Sequence, residues 1–113
     1  MQLIASADEV TKAMAPFAGQ RVYLHLETTV GAYTANGVGV FIRNAEIDVE
    51  TAALRGEGPL FRAGLRTKSG WVYAEGVTHW EVDPQGRLLL EGHDDEGRMN
   101  VACLLSRQPW PVY

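Results

Sequence analysis

Asp83-Pro84-Gln85-Gly86 constrains this chain more than any other segment. Pro84 presets the first central position of a type I turn, and Gly86 supplies the positive φ that a glycine bulge requires. A three-residue loop of that kind pairs Asp83 with Arg87 and fixes the register of its flanks. Trp80 then faces Leu90, and Val82 faces Leu88. A second loop, Asp94-Asp95-Glu96-Gly97, brings apolar residues together when read as four residues with glycine last. Leu90 then lies against Val101, and Leu88 against Cys103. Both registers gather apolar side chains on one face, and a one-residue slip would send them to the other. The chain is therefore expected to hold a three-stranded antiparallel meander, starting with one long strand over residues 71–82.

The upstream half alternates in the same way. Val22, Leu24 and Leu26 share one strand face, and Tyr23, His25, Glu27 and Thr29 share the other. Gly31, Asn36, Gly37 and Gly39 mark a bend. A second strand over residues 40–49 has unclear facing at Arg43-Asn44, where a bulge is expected. Gly56, Gly58 and Pro59 mark a further loop. Phe61, Ala63 and Leu65 then alternate with Arg62 and Arg66, and Ser69-Gly70 makes a tight turn. One helix precedes all of this. Ser6-Ala-Asp-Glu9 is a capping box, and Val10, Met14 and Phe17 recur at helical spacing. Pro16 removes an amide donor, so regular helix should end near Ala15, with Gly19 past the end. The tail Gln108-Pro-Trp-Pro-Val-Tyr113 cannot be helix and should pack on the domain or on a second copy.

The length of 113 residues suits one domain over residues 1–113, divided into a helix at about 6–16, strands at about 20–107 and an extended tail at 108–113. Hydrophobic residues make up 46% and charged residues 21%, which is ordinary globular usage and argues against disorder. The net charge is −4 and arginines are scattered, so nucleic-acid binding is not expected. No apolar run approaches a membrane span, and Asp8 and Glu9 interrupt any export signal. A cytoplasmic protein is expected. The lone Cys103, inside an apolar run, reads as an inert core residue.

The three histidines all have acidic neighbours: His25-Leu-Glu27, His79-Trp-Glu81 and His93-Asp94-Asp95. In a strand, H-x-E places both side chains on one face. The inferred registers set His79 opposite Glu91 and diagonal to His93, with Asn100 and Arg98 beyond them. His79, Glu81, Glu91 and His93 then form one polar patch, with His25 and Glu27 a possible further polar site. Imidazole with carboxylate suits a divalent metal such as zinc, iron or manganese. The competing reading is a solvated sheet face, with cross-strand contacts of about 0.2–1 kcal/mol each. That reading is preferred, because neither H-x-H nor H-E-x-x-H is present. Ordinary surface placement is the expectation for His25 and Glu27. His93-Asp-Asp-Glu96 superficially resembles the H-P-D-D motif of zinc-dependent sugar deacetylases. It lacks the proline and reads better as an Asp-rich turn. Gly37-Val-Gly39 precedes no helix and makes a poor phosphate loop. The aromatics, including Tyr23, Tyr33, Trp71, Tyr73, Trp80 and Trp110, are expected mainly in core or interface packing.

Four stretches carry a family resemblance: residues 22–29 (Val-Tyr-Leu-His-Leu-Glu-Thr-Thr), 40–45 (Val-Phe-Ile-Arg-Asn-Ala), 71–79 (Trp-Val-Tyr-Ala-Glu-Gly-Val-Thr-His) and 90–97 (Leu-Glu-Gly-His-Asp-Asp-Glu-Gly). Through them the chain resembles the YojF-like family of small bacterial proteins of unknown function, from about Gln20 to Trp110. The resemblance implies a cytoplasmic, largely β protein. It also implies an accessory role beside a zinc-dependent deacetylase of bacillithiol synthesis, an association by gene neighbourhood that no residue here supports. The expected fold is mainly β (α+β), with about six antiparallel strands in a barrel-like or two-layer sheet and one N-terminal helix over an opening or edge. Two functions follow: a non-catalytic accessory or binding domain, homo-oligomeric through its aromatic tail, or a metal- or small-ligand-binding protein using the His/Glu patch.

Overall fold

Ser6 does at the start of the helix what its spacing to Glu9 predicts. Its hydroxyl accepts from the Glu9 amide at 3.3 Å, and helix α1 runs over Ala7–Met14. Pro16 ends it in a 3₁₀ turn, Ala15–Phe17, and Gly19 follows with φ of 76°. The computed structural model describes residues 1–28 and 39–111. The expected bend at Gly31, Asn36 and Gly37, and the positions of Thr29, Tyr33 and Tyr113, lie outside those residues.

The strands are β1 (Gln2–Leu3), β2 (Gln20–Thr28), β3 (Phe41–Val49), β4 (Thr51–Arg55), β5 (Phe61–Arg66), β6 (Trp71–Val77), β7 (His79–Val82), β8 (Leu88–His93) and β9 (Met99–Ser106). They form a six-stranded sheet, β1-β7-β8-β9-β2-β3, and a three-stranded sheet, β4-β5-β6. All pairings are antiparallel. The protein is mainly β, in two layers, and the sheets do not close into a barrel. The inner faces meet in a core that includes Leu24, Leu65, Val77, Leu88, Leu90 and Leu105. Val10, Met14 and Phe17 of the helical segment join it, as their spacing predicts.

The count of about six strands is corrected to nine among the described residues. The expected long strand over residues 71–82 is two strands in different sheets. Gly76, at φ of 80°, turns the chain, and Thr78 carries it from the small sheet to the large one. The helix covers an edge, as expected. Thr11 Oγ1 accepts from the Leu54 amide at 3.0 Å and donates to the Leu54 carbonyl at 3.3 Å. Both groups that β4 would otherwise offer to another strand there are thereby taken.

The β7–β8 register is the expected one, with Trp80 against Leu90 and Val82 against Leu88. The β8–β9 register is shifted by two residues: Leu90 pairs with Cys103 and Leu88 with Leu105. Two local features each contribute one residue. The second loop closes between Asp94 and Arg98, so it has three residues rather than four. Asn100 is then an extra residue in β9, since His93 pairs with Met99 and Gly92 with Val101. Because strand facing repeats every two residues, the shift leaves the apolar face intact.

The bulge expected at Arg43-Asn44 is present. Leu24 pairs with Ala45 and Leu26 with Ile42, so His25 faces two residues. Asn44 adopts φ of 58°, a conformation that asparagine tolerates better than most residues.

Candidate functional site

The polar patch lies on the outer face of the large sheet, because its inner neighbours Trp80 and Leu90 enter the core. His79 stands opposite Glu91, as the first turn dictates. The His79 and His93 rings stack with centroids 4.3 Å apart, and His93 Nε2 lies 2.8 Å from Glu91 Oε1. Thr78 ties the cluster together. Its hydroxyl lies 2.7 Å from His79 Nδ1 and accepts from the His93 amide at 2.9 Å. Burial, and then the neighbouring His93, hold the His79 pKa below its ordinary value, against the pull of Glu91. His79 is thus biased toward neutral imidazole.

Glu81 does not join this cluster. It pairs with the Met1 amine at 3.2 Å. Asn100 and Arg98 are also absent from it: Asn100 is the bulged residue, and Arg98 folds back onto Asp94 at 2.9 Å. Among the described residues, no group of three or more His, Cys, Asp or Glu side chains is arranged to hold a metal ion.

His25 shares the outer face but not the patch. The row across the sheet runs His79, Glu91, Ala102, Glu27, so Ala102 separates the two polar groups. Surface placement of His25 is overturned, because it is only 5% exposed. The tail covers it. Asn44 donates to the Trp110 carbonyl at 2.8 Å and accepts from the Trp110 amide at 2.6 Å. The Trp110 ring then lies 6.4 Å from His25, with the guanidinium groups of Arg43 and Arg87 at 6.0 and 4.6 Å from its centroid. His25 Nδ1 lies 3.1 Å from Arg43 Nη1, and Nε2 lies 3.5 Å from Glu27 Oε1. Trp110 therefore packs on its own domain.

A concavity lies elsewhere, between the two sheets. It has a volume of about 910 Å³. Leu26, Phe61, Ala74 and Val101 form its apolar wall, while Glu27, Arg62, Glu75 and Asn100 supply polar groups. The bulge that removes Asn100 from the histidine patch brings it here. Strand alternation alone does not reveal this cleft, because its walls come from β2, β5, β6 and β9 together. The one local signal is a pair of glycines. A Cβ on Gly92 would collide with the Gly76 carbonyl oxygen and stand 2.6 Å from Val101 Cγ1. The two sheets touch backbone to backbone beside the cleft. Cys103 lies in the core, where burial pushes its thiol up to about 12 and disfavours the thiolate.

These features define a class: a two-sheet antiparallel β domain with an intersheet cleft and a buried histidine under a C-terminal strap. The family model described as "Protein of unknown function (DUF1806)" matches residues 4–110, and the chain belongs to that family. It is similar to "Uncharacterized protein YojF" of Bacillus subtilis (strain 168), with 39% identity over 111 residues, 93% of this chain and 95% of that one. The crystal structure of the Bacillus subtilis YojF protein superposes with a TM-score of 0.82 at 38% identity, covering 98% of this chain and 97% of that one. The expected resemblance is thereby confirmed. Among the described residues, no helix is long and apolar enough to cross a membrane.

Proposed function

We propose that this protein is a non-catalytic binding domain whose ligand enters the cleft between the sheets. The observation that carries the reading is the cleft itself, with a volume of about 910 Å³. Its size and mixture of apolar wall with few polar groups match a small-molecule site. Its described lining has no histidine, cysteine, serine or lysine, and so no nucleophile with an adjacent imidazole base. The ligand class it suits is a small molecule with an apolar body and one polar end, met by Arg62, Glu75 and Asn100.

The test is a titration with 8-anilinonaphthalene-1-sulfonate. The wild type should bind it saturably, one per chain. Leu26→Trp should abolish binding by filling the cleft, with Tm preserved. No binding by the wild type, or binding untouched by Leu26→Trp, would remove the reading.

The accessory role beside a zinc-dependent deacetylase, and with it a place in low-molecular-weight thiol metabolism in the cytoplasm, is supported by the family resemblance alone. Co-purification with such an enzyme checks it, and absence of both a complex and an effect on its activity would end it. Homo-oligomerisation is checked by light scattering. The metal alternative has the ring stack against it, because His93 Nε2 is already engaged by Glu91. Stoichiometric metal that disappears in a His79→Ala, His93→Ala variant would restore it.

A further inference from the structure

The outer face of the small sheet is a regular grid. Strand facing places Thr51, Ala53 and Arg55 of β4 outward, with Arg62, Gly64 and Arg66 of β5 and Trp71, Tyr73 and Glu75 of β6. The register sets them in three rows: Arg55-Arg62-Glu75, Ala53-Gly64-Tyr73 and Thr51-Arg66-Trp71. The middle row has two small residues, which leaves a hollow of about 480 Å³ bounded by arginines on both sides.

Four planar groups lie together along one wall. Arg62 lies 5.0 Å from the Tyr73 ring, Tyr73 and Trp71 stack at 5.5 Å and 6°, and Arg66 lies 5.9 Å from Trp71. Trp71 and Tyr73 are nevertheless 53% and 49% exposed. Tryptophan, tyrosine and arginine are the residues that dominate the energetics of protein interfaces.

Charge narrows the occupant. Glu75 is the one acid in the grid, and Arg62 holds it at 2.5 Å. Arg55 and Arg66 have no ion pair among the described residues. A second copy using the same face would set arginines against arginines. Single-stranded nucleic acid binds by stacking bases on aromatic faces, and here Trp71 and Tyr73 already stack on each other, with Arg62 and Arg66 beside them. What remains open are guanidinium N–H groups, which suit carboxylates.

We infer that this face docks an acidic segment of a partner protein. Arg66 lies beside Thr51 and Arg55 four residues further along that strand, so the two free guanidinium rows are roughly 13 Å apart. An extended segment with carboxylates four residues apart, and an apolar side chain midway for the Ala53-Gly64 floor, fits that spacing. The segment pattern is acid-x-apolar-x-acid. The face shares Arg55, Arg62, Tyr73 and Glu75 with the cleft lining, whereas Arg66 and Trp71 belong to this face and not to the cleft. Variants at those two positions keep this inference separate from the cleft.

The probe is a fluorescently labelled, end-capped peptide, Ser-Glu-Ser-Leu-Ser-Glu-Ser, followed by anisotropy up to roughly 1 mM peptide-binding protein. Saturable binding that weakens with salt is expected. The peptide with both Glu replaced by Gln should not bind. Arg66→Ala and Trp71→Ala should each weaken binding about tenfold, the loss of one charge-assisted contact or its aromatic support. Arg21→Ala, on the far sheet, should not. Thr51→Glu, which places a carboxylate beside Arg66, should block the site and serves if either other variant fails to fold. No saturable binding, equal binding of the Gln peptide, or wild-type affinity in Arg66→Ala and Thr51→Glu would overturn the inference. So would displacement of the peptide by a thymidine oligonucleotide at lower concentration, or self-association abolished by Arg66→Glu.

Discussion

A methyl group at position 92 has nowhere to go. It would strike the Gly76 carbonyl oxygen, which is backbone, and Cγ1 of Val101, a stiff β-branched side chain. Gly92→Ala should therefore cost about 3 kcal/mol in urea denaturation, at the upper end for overpacking. Gly70→Ala, with open space around its Cβ and no positive φ, should be near neutral in the same assay. His79 makes a second prediction at this scale. Its folded pKa is held below the ordinary 6.5 by burial and by His93. The unfolded chain then binds more protons than the folded one near that pH, so stability falls as pH drops below about 6.5. His79→Gln should flatten the decline of Tm between about pH 7 and pH 5 relative to the wild type. Facing of individual residues was legible where alternation was regular, as at Phe61, Ala63 and Leu65. It was not legible for His25, which is buried by Phe41 and Arg43 of β3 together with Trp110 from the other end of the chain.

At the scale of elements, one device is used twice. Asp83 and Asp94 each accept from the amides two and four residues on, at 2.9 Å, and each pairs with the arginine that ends the loop. The repeated pattern is Asp-x-x-Gly-Arg. It was read correctly at Pro84, where proline announces the turn type, and one residue too long at Asp94, where no proline does. The surroundings differ. The Asp83 side chain is 6% exposed and that of Asp94 is 29% exposed. Asp83→Ala should cost about 1–3 kcal/mol, because the amides it satisfies lose their acceptor in a partly buried setting. Asp94→Ala should cost less, since water can replace the carboxylate, and paired denaturation curves would show the difference. The Asn44 bulge was legible because alternation fails there. The break at Thr78 was not, because a single glycine in an alternating run gives no sign that the chain leaves one sheet for another.

At the scale of the whole molecule, the tail is a strap. Trp110 is 8% exposed and held by both hydrogen-bonding ends of Asn44. Trp110→Ala should cost about 3–5 kcal/mol, as for other buried large-to-small changes. It should also open His25 to diethylpyrocarbonate, which mass spectrometry would locate. That the tail would pack was legible from its prolines and aromatics, but its docking place was set by an asparagine 66 positions away. The cleft was equally hidden, since β2 and β9 meet the β4, β5 and β6 segment around it. One pairing also orders events in time. β2 lies between β3 and β9, and Tyr23 meets Ser106 across the middle of the large sheet. On the ribosome, the β2–β3 hairpin can form early, but β2 must keep an open edge until β9 has been synthesised. During that interval the nascent chain exposes a strand edge that β9 covers in the finished protein.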